Sequence, residues 1–162
     1  MLSIDVLNDH SFDVQAEALR QAASVTLETL RPGQALGLTI VLSSDDEVCA
    51  LNRRFRRVNA PTDVLSFPAD EPPFAAAPEP RYLGDIVIAF PYAAAQAERE
   101  GFSLGDNLML LVVHGTLHLL GFDHDTTENR QSMWAVQEQI LRRLNISPAL
   151  VPALEGQDDD EE

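Results

Sequence analysis

Three of the chain's four histidines stand in one short stretch, HGTLHLLGFDH (114–124). The leucine- and valine-rich run leading into it predicts a mostly buried helix, and a step of four residues puts the imidazoles of His114 and His118 on one face. Gly121 follows three residues on, where a helix end commonly takes a left-handed residue, so the reversing chain can bring His124 back to the other two. Neutral imidazole nitrogen suits zinc. Three protein ligands leave the fourth tetrahedral position open to water, as catalytic rather than structural zinc sites do. A lone histidine on a buried helix is usually a satisfied core residue, but three at H-x3-H-x5-H with a turn glycine between them read as a metal site. One Zn2+ per chain is expected, held by His114, His118 and His124, because the single cysteine, Cys49, cannot build a second site.

These intervals, glycine included, match the metzincin pattern H-E-x-x-H-x-x-G-x-x-H at all but one position. Where that pattern carries its general-base glutamate, this chain has Gly115. Glycine can neither take a proton from an activated water nor return one to a leaving amine. The zinc-site helix is therefore metzincin-like without the means for peptide hydrolysis by the usual route.

A second group that can do chemistry lies upstream in LNRRFRRVNAPTDVLSFP (51–68), where Arg53, Arg54, Arg56 and Arg57 crowd the end of a helix. Cations complement a helix C-terminus, so a solvated terminus explains some of them. In a chain without lysine, the cluster is also the best phosphate-binding feature, since the planar guanidinium fork engages phosphate oxygens two at a time. Asp63 reads as a turn residue in preference to a strand-end group near the site. In LGDIVIAF, Asp85 interrupts an apolar strand beside Gly84. It is expected to partner a histidine or the water at the metal, while Gly84 admits a close neighbour. Asp123 reads as a turn residue. Asp85 and His114 are thus candidate catalytic residues, while the residues alone do not single out one arginine of the four.

Positioning these groups requires a sheet with helices on it. LSIDVL (2–7), LGLTIVLS (36–43), VLSF (64–67) and LGDIVIAF (83–90) predict strands. Helices are predicted for about 13–30, for the segment opened by the capping box Ser44-Asp45-Asp46-Glu47, near 92–100 and 107–120, and for 127–144 behind Asp125-Thr126-Thr127-Glu128. The order β-α-β-α-β-β-α-α-α predicts an α+β fold with a single mixed sheet of about four strands. The stretch 68–80, holding five of the ten prolines, predicts a mobile surface loop.

At 162 residues the chain suits one domain, expected over 1–150, followed by an acidic and disordered tail over 151–162. That tail holds Glu155, Asp158, Asp159, Asp160, Glu161 and Glu162. The formal net charge of −15 argues against non-specific nucleic-acid binding, so any such activity must use a local positive patch. The chain shows no apolar run long enough for a bilayer and no secretory signal, and its one cysteine, expected to be a small buried helix residue, fits a reducing compartment. A cytoplasmic protein without membrane contact is expected.

Taken together and in this order, NRRFRRVNAPTDVLSFP, LGDIVIA and HGTLHLLGFDH resemble the YbeY family of bacterial endoribonucleases, or rRNA maturation factors. The likeness runs from about Asn52 to Leu144. It implies a zinc ion held at His114, His118 and His124 and a functional arginine at Arg56. It further implies single-strand-directed RNA cleavage in 16S rRNA 3′-end maturation and ribosome quality control, with rRNA and ribosomal particles as partners and ribosomal proteins or GTPases as further ones. Phe55 stands where many members carry tyrosine. Two other readings remain open on the residues alone. One is a metal-dependent hydrolase of another substrate, including a peptidase that recruits Asp85 as its base. The other is a non-catalytic ribosome-binding module whose zinc only holds the helix to the following loop.

Overall fold

A computed structural model describes residues 1–70 and 80–147. The proline-rich segment and the acidic tail therefore lie largely outside the described residues. Four strands form one mixed sheet: β1 (Leu2–Leu7), β2 (Leu36–Ser43), β3 (Val64–Pro68) and β4 (Arg81–Ala89), in spatial order β1-β2-β4-β3. β1 pairs with β2 and β2 with β4 in parallel, while β3 runs antiparallel to β4. The element order agrees with the sequence reading, and the five helices are α1 (Ala16–Leu30), α2 (Asp45–Arg56), α3 (Phe90–Glu100), α4 (Leu104–Leu119) and α5 (Thr127–Arg143).

Alternation along each strand decides which helix covers it. Leu36, Leu38, Ile40 and Leu42 of β2, Ile86 and Ile88 of β4 and Val64 of β3 point to one face, where they join Leu19, Ala22, Ala23 and Leu27 of α1 and the apolar residues of α4. α5 closes this layer with Met133, Ile140 and Leu141. The opposite face carries a smaller cluster of Val48 from α2, Leu65, Val87 and Ala89. Each fully buried leucine or isoleucine contributes on the order of 1.5–3 kcal/mol, so the α1/α4 layer dominates the folding free energy. This explains why α4 is buried nearly all round, including at His114, Gly115 and Thr116.

Gly84 has a specific neighbour. A Cβ there would lie 2.2 Å from the Phe67 carbonyl oxygen, and φ is +140°. The close approach expected at this glycine is thus the backbone of β3, whose antiparallel pairing with β4 it permits. Cys49 is half-buried on α2 rather than fully enclosed.

The start of α2 is held by the expected capping box: the Glu47 N–H donates to Ser44 Oγ (3.2 Å) and the Ser44 N–H to Glu47 Oε1 (3.1 Å). Glu47 also accepts from the Ser43 hydroxyl at 2.8 Å and lies 2.7 Å from His10 Nε2. The Ser43 hydroxyl, then the Ser44 backbone and His10, hold its carboxyl down at about 2. Ser44→Ala removes the cap oxygen and should cost about 0.5–2 kcal/mol, read as a lower urea midpoint with an unchanged denaturant slope.

Candidate metal centre

α4 ends in a Schellman turn. The Phe122 N–H donates to the Leu117 carbonyl and the Gly121 N–H to the His118 carbonyl, both at 3.0 Å, with Gly121 at φ +99°. Only a residue without Cβ takes that backbone readily, and the turn sends the chain back over the last helical turn. Asp123 then accepts from the N–H of His124 at 2.8 Å, a turn role as expected. His124 is consequently buried beside the two helix histidines.

The three imidazoles converge. His114 Nε2 and His118 Nε2 are 3.0 Å apart, and the ring centroids of His124 lie 5.8 Å from His114 and 4.9 Å from His118. One nitrogen from each lies within 4.8 Å of the others, which fits three ligands around one ion. The donor set supports the same fit. Burial first, then the neighbouring His114 and His124, and more weakly Arg56, push the His118 pKa down from 6.5 to about 3. The ring is therefore neutral at ordinary pH and surrenders no proton to bind a metal. A hydrogen bond with the Phe122 backbone opposes this shift and ties the ring to the turn.

Around this group opens a cleft of about 550 Å³ at the β3 edge of the sheet, lined by Phe55, Arg56, residues 64–68 of β3, the three histidines and the Gly121–Asp123 turn. Arg56, the last residue of α2, is half-buried in it, while Arg53, Arg54 and Arg57 are exposed. The turn after α2 is pinned by Asn52, whose carbonyl accepts from the Arg57 and Val58 N–H groups and whose side-chain amide donates to the Ala60 carbonyl at 2.8 Å. Of the four arginines, Arg56 is thus the one brought to the histidines.

Asp85 is placed elsewhere. Its neighbour Ile86 faces α4, so strand alternation turns Asp85 to the other side of the sheet, away from the histidines. There it accepts a hydrogen bond from the Tyr82 hydroxyl, which also pairs with Thr39 Oγ1 at 2.8 Å. Burial, and then that bond, raise the Tyr82 pKa. The polar interruption of this strand therefore has a neighbour on its own face rather than a histidine. Asp63 is not a turn residue either. It is 1% exposed, its carbonyl accepts from the Ala89 N–H at 2.8 Å, and its carboxylate accepts from Gln96 Nε2 at 3.4 Å.

Gly115 is explained by packing. A Cβ there would stand 2.8 Å from Ile86 Cγ2, so the position faces the sheet rather than the cleft. Its carbonyl accepts from the Ser66 hydroxyl at 3.3 Å. A glutamate at 115 would be driven into β4. Residues that sequence reasoning did not select also complete the site. Gln137 Oε1 lies 2.9 Å from His114 Nδ1, and the Trp134 ring stands 5.6 Å from His114 and 6.3 Å from His124. The available signal was a glutamine on the apolar stripe Met133, Gln137, Ile140, Leu141 of α5.

Fold and site together define a small α+β protein with a three-histidine group, able to hold a metal ion, that lines an open cleft. The profile of the family described as Endoribonuclease YbeY matches residues 5–145. The chain belongs to the YbeY family. It is 41% identical over 145 residues to "Endoribonuclease YbeY" of Mycobacterium sp. (strain KMS), covering 86% of this chain and 82% of that one. The protein of the same description from Salinispora tropica is 39% identical over 148 residues, covering 86% and 94%. In fold, the chain is similar to the solution structure of a Thermotoga maritima protein, with a TM-score of 0.56 at 23% identity over 90% of this chain and 92% of that one.

A neutral, half-buried His118 has a pH signature. Below pH 6.5 the unfolded chain takes up a proton that the folded ring refuses until about pH 3. The stability it contributes is therefore complete above 6.5 and lost progressively as the pH falls toward 3. Chelator-treated protein should show a melting temperature that drops across this window, and His118→Gln should flatten that slope.

Proposed function

We propose that this chain is a zinc-dependent endoribonuclease that cuts single-stranded RNA in the cytoplasm, acting in 16S rRNA 3′-end maturation and ribosome quality control. The observation that carries the reading is the meeting, in one cleft, of three converging imidazoles with Arg56. Family membership supports RNA as the substrate. Held by the three histidines, a zinc ion would supply a Lewis acid.

The chain's own groups account for the rest. His114, His118 and His124 hold the ion without adding negative charge, so a phosphodiester is not repelled. Arg56 is placed to grip the phosphate oxygens with its planar fork and to stabilise charge developing on them. Arg53, Arg54 and Arg57 raise the local potential in a chain otherwise strongly negative. Phe55 is 56% exposed at the mouth of the cleft, with the Phe67 ring edge-on at 5.3 Å and the Arg54 guanidinium 5.1 Å from its centroid. Unpaired bases can stack on such a surface, whereas bases inside a duplex cannot reach it, which favours single strands. No helix among the described residues is long and apolar enough to cross a membrane.

The peptidase alternative loses both of its bases, since position 115 faces the sheet and Asp85 lies on the far face. The non-catalytic alternative is disfavoured by three protein ligands opening onto a cleft instead of four closing a structural site.

Purified protein should cleave single-stranded RNA in preference to duplex and leave casein intact, with cleavage lost on chelation and restored by zinc. Casein cleavage, or RNA cleavage indifferent to chelation, would overturn the reading. Arg56→Lys keeps the charge but loses the two-point grip, and turnover should fall roughly tenfold or more with RNA affinity little changed. Arg53→Ala should instead weaken binding modestly and reduce its salt dependence. We take residues 1–150 as the functional domain and the acidic end as an electrostatic brake. Truncation after Leu154 removes six carboxylates. It should leave folding intact and strengthen RNA association at low salt, with the difference erased at high salt.

A further inference from the structure

The Nε2 atoms of His114 and His118 face each other at 3.0 Å. A metal held at that point requires a lone pair on each, so the His114 proton must reside on Nδ1. That N–H points into the protein interior, where an unmet donor costs on the order of 1–3 kcal/mol. Its partner is Gln137 Oε1 at 2.9 Å, on a side chain that is fully buried. With the oxygen committed to His114, the amide nitrogen of Gln137 finds no hydrogen-bond partner among the described residues, and neither does the nearby Trp134 Nε1. An apolar residue would fill this place on the α5 stripe without stranding a donor. The glutamine stands there despite its own desolvation.

We infer that Gln137 is the positioning residue of the metal centre: its amide oxygen holds the His114 proton on Nδ1 and aims the Nε2 lone pair at the ion. Being uncharged, it orients the ligand without passing negative charge to it, as a carboxylate in the same place would. The ion keeps more of its positive charge for an anionic substrate, at some cost in affinity. His118 is tied by backbone, through Phe122, so Gln137 provides from a side chain what the Schellman turn provides for the second ligand.

The inference rests on the metal-holding part of the proposed function, and its test needs no RNA. The full-length chain is titrated with Co2+ and with Zn2+ against a competing chelator, following the visible Co2+ spectrum. Gln137→Leu, close in size but without an acceptor, should bind both ions roughly 10–100-fold more weakly. Gln137→Glu restores the acceptor with charge and should bind at least as tightly as the parent. A merely structural glutamine predicts the reverse ranking, since a buried carboxylate disturbs the core more than leucine. Long-range 15N NMR of the metal-free parent should place the His114 proton on Nδ1, a readout that stands even if Gln137→Leu fails to fold. Parent-like binding by Gln137→Leu, weakening by Gln137→Glu equal to that of Gln137→Leu, or a His114 proton found on Nε2 would overturn the inference. A parent that binds neither ion would instead sink the proposed function.

Discussion

The seating of α4 on β4 sets the position of everything in the site. At Gly115 the helix backbone comes so near the sheet that a single added carbon would stand 2.8 Å from Ile86 Cγ2. That approach sets the height of His114 and His118 above the strands and leaves the Gly115 carbonyl within reach of Ser66. A larger residue would lift the helix and carry both imidazoles with it. Interiors are packed too densely to absorb such a shift locally. The same residue that removes a protease-type base from the motif is therefore what lets the helix deliver its ligands.

The third histidine depends on a different kind of constraint, backbone chirality. His124 lies beyond the helix and reaches the other two only because Gly121 takes a left-handed conformation and the Schellman bonds reverse the chain. Two rigid devices, a close helix–sheet contact and a tight C-terminal turn, thus bring together side chains that no single element could present. α5 then covers the cluster, supplying Gln137 from its buried stripe and the half-buried Trp134 beside it.

This division explains what could be read from residues alone. The element order and the three-histidine group were legible because both depend on local spacing: a four-residue step on a helix and a glycine at its end. Asp85 was misplaced because a carboxylate in an apolar strand signals only that it has a polar neighbour. Which face it occupies is set by the register against β3, and that put Ile86, not Asp85, under α4. Asp63 likewise looked like a turn former, yet it is enclosed beside Gln96 once α3 packs across the start of β3. Gln137 went unselected because one glutamine among apolar residues is unremarkable until a histidine 23 positions away proves to be its partner. Tertiary pairings of this kind leave little trace in local pattern.

The electrostatic layout follows from where the helices end. α2 and α4 approach the β3 edge from opposite faces of the sheet and both terminate at the cleft, the first with Arg56 as its last residue and the second with His118 in its last turn. The unsatisfied carbonyls at a helix C-terminus carry partial negative charge. Two such ends favour cations at this place, where the Arg56 guanidinium stands on one side and the histidine group that could hold a metal ion on the other. His118 meanwhile stays neutral because burial and the neighbouring His114 and His124 disfavour its protonation. A chain with a formal charge of −15 thus brings the Arg56 guanidinium to a cleft whose histidine group contains no carboxylate. Because the cleft lies at the antiparallel edge rather than over the parallel strands, it opens along β3, with Phe55 and Phe67 as an apolar wall beside the charged groups. An extended polyanion with flat apolar bases matches that combination better than a peptide does.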